Sequence, residues 1–254
     1  DMCAAPGGKS TLLRDSLPEG SLLVANEVMP QRAQVLAENL MKWGHPGVVV
    51  THSDSAEFTS LKHFFDVILT DVPCSGEGMF RRDPSAIKSW EKFGPVTCMK
   101  MQNEILESTH LMLKAGGELV YSTCTFCEGE DEDMILSFME KYPEYEVISH
   151  PELVGVSHAG PDSKLPGSMR IWPHLSEGDG HFCVHLRKKD DAEVNEFELA
   201  KIPSYKKKRN DNYGFGKSRE TLCNFMSEIL VKEKAKEYAE YIKDKFIMHG
   251  NRLH

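Results

Sequence analysis

Short apolar runs of strand length alternate with segments of helical spacing through most of this chain. Strands are predicted at 21–26, 47–51, 65–70 and 118–123. Helices are predicted at 31–43, about 96–114 and about 129–141. This alternation is typical of an α/β fold with a parallel, doubly wound sheet. Ligands of such sheets bind outside the carboxyl ends of the strands, so candidate functional residues are sought there.

The composition indicates a soluble globular protein. Of the 254 residues, 40% are hydrophobic and 27% are charged, with a formal net charge of −9, which excludes a largely disordered chain. No stretch approaches the ~18 consecutive apolar residues of a membrane span, so no membrane association is expected. Seven scattered cysteines favour free thiols and a cytoplasmic location.

Charge and composition divide the chain near residue 190. Residues 201–254 carry 13 Lys and Arg against 7 Asp and Glu, whereas the preceding part is strongly acidic. We predict a first domain at 1–190 and a linker at 191–217, which contains the basic run Lys206-Lys207-Lys208-Arg209. The chain opens in a turn without an initiator methionine, which predicts a fragment that lacks an N-terminal region.

The opening turn, Asp1 to Lys9, is rich in small residues. Gly8-Lys9-Ser10 matches the end of a phosphate-binding loop, but the first glycine of that motif would fall at Cys3. The sequence therefore predicts a glycine-rich turn that opens a helix, whose free backbone N–H groups can hold a carboxylate or another anion. A purely structural turn remains an alternative.

Acidic residues follow three successive predicted strands. Glu27 lies 19 residues after Gly8, close to the ~20-residue offset at which an acidic side chain meets a ribose hydroxyl in nucleotide-binding folds. Asp54 and Asp71 follow the next two strands. Together these carboxylates predict a site for an adenosine group, with the ribose at Glu27 and the adenine near Asp54. The alternative is that Glu27 and Asp54 cap helices or face solvent.

Two cysteines also follow strands. Cys74 lies in Asp71-Val72-Pro73-Cys74-Ser75-Gly76 and Cys124 in Tyr121-Ser122-Thr123-Cys124-Thr125, so the sheet is expected to bring both thiols to one cleft. The alternative for each is a small core residue. Cys124 and Cys127 form a C-x-x-C pair, but no second pair or well-spaced histidine completes a metal site. No metal is predicted.

With these residues in place, the sequence resembles the Sun-type family of RNA 5-methylcytosine methyltransferases. The matching motifs are DMCAAPGGK at 1–9, DVPCSG at 71–76 and YSTCT at 121–125. Within that family it is most similar to the bacterial RsmF-like enzymes of small-subunit rRNA, through MRIWPH at 169–174 and EGDGHF at 177–182. The resemblance implies a Rossmann-like methyltransferase sheet and a partial C-terminal α+β domain that begins within 218–254.

The resemblance also implies S-adenosylmethionine as the cofactor and assigns roles to residues. The expected cofactor-binding residues are Cys3, Ala4, Ala5, Pro6, Gly7, Gly8, Lys9, Glu27, Asp54 and Asp71. Cys124 is the expected nucleophile at cytosine C6, because C5 is too electron-poor to accept a methyl group directly. Asp71 would bind the base, and Cys74 would assist release of the product. DNA cytosine methyltransferases place their nucleophile in a Pro-Cys motif, so Cys74 is the competing nucleophile.

RNA is the implied partner, with 16S rRNA as the expected substrate and the protein expected to be a monomer. Arg81 and Arg82 follow the first thiol loop and are predicted to contact RNA phosphate. Tyr121 and Trp172 are candidates for base stacking, although both are more often packing residues. Two alternatives remain open: a tRNA cytosine-C5 methyltransferase, and a non-catalytic ribosome-assembly factor on the same fold.

Overall fold

The computed structural model describes residues 1–190 and, further along the chain, two short strands that pair antiparallel, Met248–His249 and Arg252–Leu253. The chain divides into two compact units, Asp1–Ala200 and Lys201–His254. Apart from the two short strands, the predicted linker at 191–217 and the predicted C-terminal domain at 218–254 lie outside the described residues. Both stay predictions.

Residues 1–190 form helices and strands in alternation. The helices are α1 (Gly8–Ser16), α2 (Pro30–Trp43), α3 (Ser85–Met112) and α4 (Glu132–Lys141). The first four strands are β1 (Leu23–Asn26), β2 (Val48–Thr51), β3 (Phe65–Asp71) and β4 (Leu113–Thr123). The remaining strands are β5 (Tyr145–Val147), β6 (Ser157–His158), β7 (Met169–Ile171) and β8 (His181–Lys188). Short 3-10 helices span Ser55–Ser60 and Glu77–Met79.

The strands are arranged around the opening segment of the chain. β1 and β2 pair in parallel, and the larger sheet has the order β3-β4-β8-β7-β6, with β5 also paired to β8. Between β1 and β3, the backbone N–H of Met2 donates to the carbonyl of Leu69 at 2.9 Å, and that of Ala4 donates to the carbonyl of Asn26 at 2.8 Å. The opening segment therefore links the two sheets through backbone hydrogen bonds.

The predicted fold class is confirmed, with one difference in strand direction. β3 and β4 are parallel, as predicted, but β8 runs antiparallel to β4. A parallel strand needs a long crossover connection, usually a helix. The chain between α4 and β8 instead forms the short strands β5, β6 and β7, so β8 enters the sheet in the opposite direction.

Two apolar clusters pack helices against the sheets. Under α3 and α4, the largest fully buried side chains of the cluster are those of Leu106, Met112, Leu113, Leu119, Tyr121, Ile135, Phe182 and Leu186. A second cluster packs α2 against β1 and β2, through Ala25, Leu36 and Leu40. Full burial of a large apolar side chain contributes about 1.5–3 kcal/mol. These clusters therefore fix the strand ends that carry the candidate site.

Two predicted boundaries were wrong. The helix predicted from about 96 coincides with the part of α3 that follows a break at Gly94 and Pro95, and the helical turns from Ser85 up to that break were not predicted. That helix ends at Met112, and β4 begins at once at Leu113 rather than at 118. The fourth helix begins at Glu132 rather than 129. In the part of the chain that the structure describes, no helix is long and apolar enough to cross a membrane.

Candidate active site

The opening turn brings the first turn of α1 to the edge of the sheet. Gly7 has a φ of 115°, in the left-handed region that favours glycine, and an added Cβ would lie 3.2 Å from Leu36 Cδ1. α1 begins at the next residue, Gly8, where an added Cβ would meet nothing within 4 Å. The start of α1 at Gly8 is thus exposed, and the free N–H groups of a helix N-terminus suit an anionic group.

Side chains of α2 hold this turn in place. Arg32 Nη2 donates to the carbonyl of Ala5 at 2.8 Å, and Asn39 Nδ2 donates to the carbonyl of Pro6 at 2.7 Å. Burial raises the pKa of the Cys3 thiol to about 12, with the nearby carboxylates of Glu27 and Asp71 acting in the same direction. Cys3 is therefore a neutral thiol. The polar groups that the turn can offer to a ligand are its backbone groups and the side chain of Lys9.

Glu27 follows β1 and holds a carboxylate oxygen without a hydrogen-bond partner. Its side chain is 3% exposed, and Oε1 accepts a hydrogen bond from the N–H of Met29 at 3.0 Å. Oε2 is buried and accepts no hydrogen bond from the described residues, although Arg32 Nη1 lies 3.4 Å away. Buried polar atoms are nearly always paired, so this oxygen fits a hydroxyl donor such as that of a ribose.

Asp54 has a structural role that the sequence left open. It is the N-cap of the 3-10 helix Ser55–Ser60: its Oδ1 accepts from the N–H of Ala56 at 2.9 Å. Glu57 Oε2 in turn accepts from the N–H of Asp54 at 3.1 Å, which completes a capping box. The helix-capping alternative is therefore correct for Asp54, and its contact with adenine stays a prediction.

Asp71, at the end of β3, is held on both carboxylate oxygens. Oδ2 pairs with Lys9 Nζ at 2.8 Å, and Oδ1 accepts from Ser122 Oγ at 2.7 Å. This ion pair joins the opening turn to β3 and β4. Because the Asp71 side chain is 26% exposed, the carboxylate is both fixed and accessible.

The two cysteines predicted to share a cleft are in contact. Cys74 Sγ and Cys124 Sγ lie 3.1 Å apart, and the N–H of Cys124 donates to Cys74 Sγ at 3.2 Å. The hydrogen bond from the Cys74 thiol lowers the pKa of Cys124, and the charge of Lys9 acts in the same direction. That same hydrogen bond, together with burial, raises the pKa of Cys74. These two directions favour a thiolate at Cys124 over one at Cys74.

Arg81 and Arg82 bind the segment that carries the MRIWPH and EGDGHF motifs. The Arg81 guanidinium donates to the carbonyls of Pro173 and Gly178 at 2.9 and 2.6 Å, and Arg82 pairs with Asp179 at 2.9 Å. Both arginines are exposed and line an open depression of about 580 Å³. Their contact with RNA phosphate stays a prediction, and their contacts within the protein are structural.

The two aromatic candidates for base stacking differ in their surroundings. Tyr121 is fully buried, and its hydroxyl donates to the carbonyl of Glu130 at 2.6 Å, so it is a packing residue. Trp172 is half-buried and stacked on Phe126, with ring centroids 5.2 Å apart and an interplanar angle of 16°. Its ring also lies near the Arg170 guanidinium. These contacts join the MRIWPH motif to the loop that carries Cys124.

The sequence analysis missed several residues that support the thiol loops. The N–H of Gly78 donates to the carbonyl of Cys124 at 2.8 Å, and the N–H of Gly180 donates to the carbonyl of Gly78 at 3.1 Å. Glu77 Oε2 accepts from the N–H of Phe126 at 3.2 Å. Gly180 of the EGDGHF motif could have indicated this contact from the sequence, because glycine permits such close approach of two backbones.

Histidine, cysteine and carboxylate side chains do not gather into a metal-binding group among the residues that the structure describes. Cys127 of the C-x-x-C pair is half-buried, and its free thiol has a pKa raised by burial. The predictions of a metal-free and monomeric protein stay predictions.

Comparisons with known proteins match this geometry. The model of a family described as 16S rRNA methyltransferase RsmB/F matches residues 1–187. Ribosomal RNA small subunit methyltransferase F of Shewanella loihica is 34% identical over 233 residues, which are 89% of this chain and 46% of that protein. The same protein of Shewanella frigidimarina is 33% identical over 251 residues, which are 98% of this chain and 47% of that protein. The chain spans slightly less than half the length of these relatives.

Solved structures of known proteins are also similar to this chain. PH0851 is similar with a TM-score of 0.66 and 28% identity, covering 73% of this chain and 41% of that one. NSun6 from Pyrococcus horikoshii, determined with the S-adenosylmethionine analogue SFG, has a TM-score of 0.63 and 27% identity, covering 74% and 47%. The family predicted from the motifs is confirmed: the chain belongs to the RsmB/F family of S-adenosylmethionine-dependent 16S rRNA methyltransferases.

Proposed function

We propose that this chain contains the catalytic domain of an enzyme that methylates C5 of a cytosine in RNA, with 16S rRNA as the substrate. The observation that carries the proposal is the pair of thiols 3.1 Å apart, next to the ion pair of Lys9 and Asp71. A non-catalytic RNA-binding factor has no need of a thiol whose pKa is lowered by a second thiol. The pair therefore favours covalent catalysis.

The proposed cofactor site lies at the opening turn and the first two strand ends. The exposed N-terminus of α1 suits the methionine carboxylate. Glu27 Oε2, which accepts no hydrogen bond from the described residues, suits a ribose hydroxyl. When bound there, S-adenosylmethionine supplies the methyl group from its sulfonium. Because Lys9 belongs to the first turn of α1 and also contacts Asp71, the cofactor and base sites share one wall.

Cys124 is proposed to begin the reaction as a thiolate that adds to C6 of the cytosine. Addition makes C5 electron-rich, so that C5 can accept the methyl group. Asp71 is proposed to accept hydrogen bonds from the amino group and from N3 once N3 has taken up a proton. Its two contacts, to Lys9 and Ser122, keep the carboxylate in one orientation.

Cys74 is proposed to assist the last step. After methylation, the proton on C5 passes to water, with the Cys74 thiol placed to relay it. The C–H electrons reform the C5–C6 double bond, and the C6–S bond breaks so that Cys124 departs as a thiolate. The Cys74 thiol touches the sulfur that would form the adduct, so it lies within reach of the modified carbons. Its raised pKa makes it the poorer nucleophile and leaves Cys124 as the attacking group.

RNA is proposed to enter beside Arg81 and Arg82, whose guanidinium groups also bind the segment near 173–179. Contacts to phosphate position the substrate, whereas the base itself is recognised in the active site after it leaves its stack. The side chain of Arg82 is 73% exposed, which leaves much of its guanidinium surface accessible to a phosphate group.

The test is methyl transfer by the full-length protein. Purified protein is incubated with labelled S-adenosylmethionine and either 16S rRNA or total tRNA, and the RNA is digested to nucleosides. We expect labelled 5-methylcytosine from 16S rRNA, with none in a Cys124→Ala variant. Label in tRNA alone would support the tRNA alternative, and an RNA-binding protein without methyl transfer would support the non-catalytic one.

A further inference from the structure

Two buried side chains hold the backbone on both sides of Cys74. Gln102 Nε2, from α3, donates to the carbonyl of Pro73 at 2.9 Å and to Glu130 Oε2 at 2.8 Å. The same Glu130 oxygen accepts from the N–H of Ser75 at 3.0 Å. The amide of Gln102 and the carboxylate of Glu130 thus bind the residue before Cys74 and the residue after it.

These contacts are made by buried polar side chains, whose burial lowers the stability of the fold. The side chains of Gln102 and Glu130 are fully buried. Gln102 Oε1 and Glu130 Oε1 are also buried, and neither has a hydrogen-bond partner among the described residues. A buried carboxylate and amide with unpaired oxygens are less favourable for stability than apolar side chains of the same size. The hydrogen bonds that these side chains do make all go to each other and to the Cys74 loop.

A second contact connects the Cys74 loop directly to the loop that carries Cys124. Ser75 Oγ and Thr125 Oγ1, each next to one of the two cysteines, lie 2.8 Å apart. The loops therefore meet at two adjacent places, the thiol pair and this hydroxyl pair. A shift of the backbone at Pro73 or Ser75 would change the distance between the thiols.

We propose that Gln102 and Glu130 are positioning residues for Cys74, holding its thiol where it can assist release of the methylated base from Cys124. This inference rests on the proposed function, in which Cys74 acts after methyl transfer. It assigns no contact with RNA or cofactor to either residue. Their effect on the reaction passes through the backbone of residues 73–75.

The experiment compares variants of the full-length protein. Gln102→Met removes both donated hydrogen bonds at nearly constant volume, and Glu130→Leu removes the acceptor. Glu130→Gln keeps one oxygen that can accept from Ser75 and Gln102. Thr109→Val is the matched control, because it removes a buried hydrogen bond of α3, from Thr109 Oγ1 to the carbonyl of Ile105, and leaves Glu130 and the Cys74 loop untouched. Each variant is incubated with 16S rRNA and S-adenosylmethionine, and the fraction of protein in a denaturant-stable RNA complex is measured beside methyl transfer.

Loss of Cys74 positioning slows release and lets the covalent complex accumulate. We expect Gln102→Met and Glu130→Leu to raise the fraction of complex about fivefold or more above the original protein, a change typical of directly coupled residues. Glu130→Gln and Thr109→Val should stay within about twofold of the original protein. In a Cys74→Ala background, Gln102→Met should add nothing, because the group that it positions is already absent.

Different outcomes separate this inference from the proposed function. If Cys74→Ala accumulates the complex but Gln102→Met and Glu130→Leu do not, the positioning role is overturned alone. It is also overturned if both variants lose methyl transfer and covalent complex together, since that pattern marks a structural role. If Cys74→Ala itself accumulates no complex, the proposed role of Cys74 fails and this inference fails with it.

Discussion

At the scale of single residues, the candidate site depends on polar groups whose partners differ sharply. Asp71 accepts hydrogen bonds on both oxygens, whereas Glu27 has one buried oxygen without a hydrogen bond from the described chain, with Arg32 Nη1 3.4 Å away. A carboxylate that is hydrogen-bonded on both oxygens is held in one orientation, and a buried oxygen that lacks a hydrogen bond gains free energy when a ligand donates to it. The two carboxylates are therefore expected to contribute differently to cofactor binding.

Glu27→Ala should weaken S-adenosylmethionine binding by about 1–3 kcal/mol, because the donor hydroxyl of the ligand then loses its acceptor in a buried site. Titration calorimetry on the full-length protein measures the affinity. Glu27→Gln is the companion variant, since its amide oxygen can still accept from the N–H of Met29 or from a ligand hydroxyl. Equal affinity for S-adenosylmethionine in Glu27→Ala and the original protein would show that Glu27 does not bind the ribose.

Asp54 needs a different substitution, because alanine would also remove the helix cap. Loss of an N-cap costs about 1 kcal/mol of stability by itself. Asp54→Ser keeps a capping oxygen and removes the carboxylate. We expect weaker cofactor binding with an unchanged melting temperature, and unchanged calorimetric affinity would leave Asp54 with its capping role alone.

The thiol pair makes a prediction about pH. A hydrogen bond donated to a thiolate stabilises the charged form, so the Cys74 thiol lowers the pKa of Cys124. Cys74→Ser keeps a donor, whereas Cys74→Ala removes it. The pH midpoint for alkylation of Cys124 should be higher in the Ala variant than in the Ser variant.

Iodoacetamide labelling followed by peptide mass spectrometry measures that midpoint for each cysteine. Cys3 is an internal control, because its pKa of about 12 should keep it unreactive at neutral pH in every variant. Identical Cys124 midpoints in the Ser and Ala variants would contradict the hydrogen bond as the cause of the shift.

The sequence revealed the residues that follow strands and missed those that support them. Cys74, Cys124 and Asp71 could be found because strand ends are where sheets of this class place their ligands. Glu130 and Gln102 carry no such signal. Glu130 lies in an acidic stretch that predicts a helix start, and Gln102 is an ordinary helix residue until the fold buries it.

At the scale of elements, the wrong boundaries have local causes. Gly116 and Gly117 predicted the end of a helix, but they lie within β4, where the pairing with β3 shifts between Phe65 and Val67. Gly116 has a φ of 71°, which suits an irregular strand as well as a helix end. Glu130 and Asp131 were predicted to be helical, yet their buried hydrogen bonds to Gln102 and Thr123 hold them outside α4.

The junction of three loops around Gly78 gives a prediction at this scale. An added Cβ at Gly78 would collide with the carbonyl of Gly180 and lie 2.8 Å from the carbonyl of Cys124. Gly78→Ala should therefore push the Cys124 loop from its place and lower methyl transfer by at least about tenfold, as small displacements of reacting groups do. Gly160→Ala is the control, because a Cβ there meets nothing within 4 Å. Methyl transfer equal to that of the control would mean that the loops adapt without cost to the site.

At the scale of the whole molecule, charge is divided between the two parts of the chain. The chain has a net charge of −9, although residues 201–254 have an excess of six positive charges. RNA phosphate is attracted by Lys and Arg and repelled by an acidic surface. We therefore expect the basic part of the chain to contribute to RNA docking, beside local groups such as Arg81 and Arg82.

Replacing Lys206, Lys207, Lys208 and Arg209 with alanine in the full-length protein should lower RNA affinity. It should also flatten the dependence of log affinity on log salt, by about 0.7–0.9 for each phosphate contact that is lost. Filter binding at several salt concentrations measures both quantities. A solvated linker is the alternative, and an unchanged slope would support it.

The most direct test of the account is to identify which cysteine becomes bonded to RNA. Full-length Cys74→Ala and Cys124→Ala proteins are each incubated with 16S rRNA and S-adenosylmethionine, denatured, digested with nuclease and protease, and analysed by mass spectrometry. The account predicts a covalent complex in Cys74→Ala with the nucleotide on the peptide that contains Cys124, and no complex in Cys124→Ala. A nucleotide on Cys74 in the Cys124→Ala protein, with none on Cys124, would contradict it.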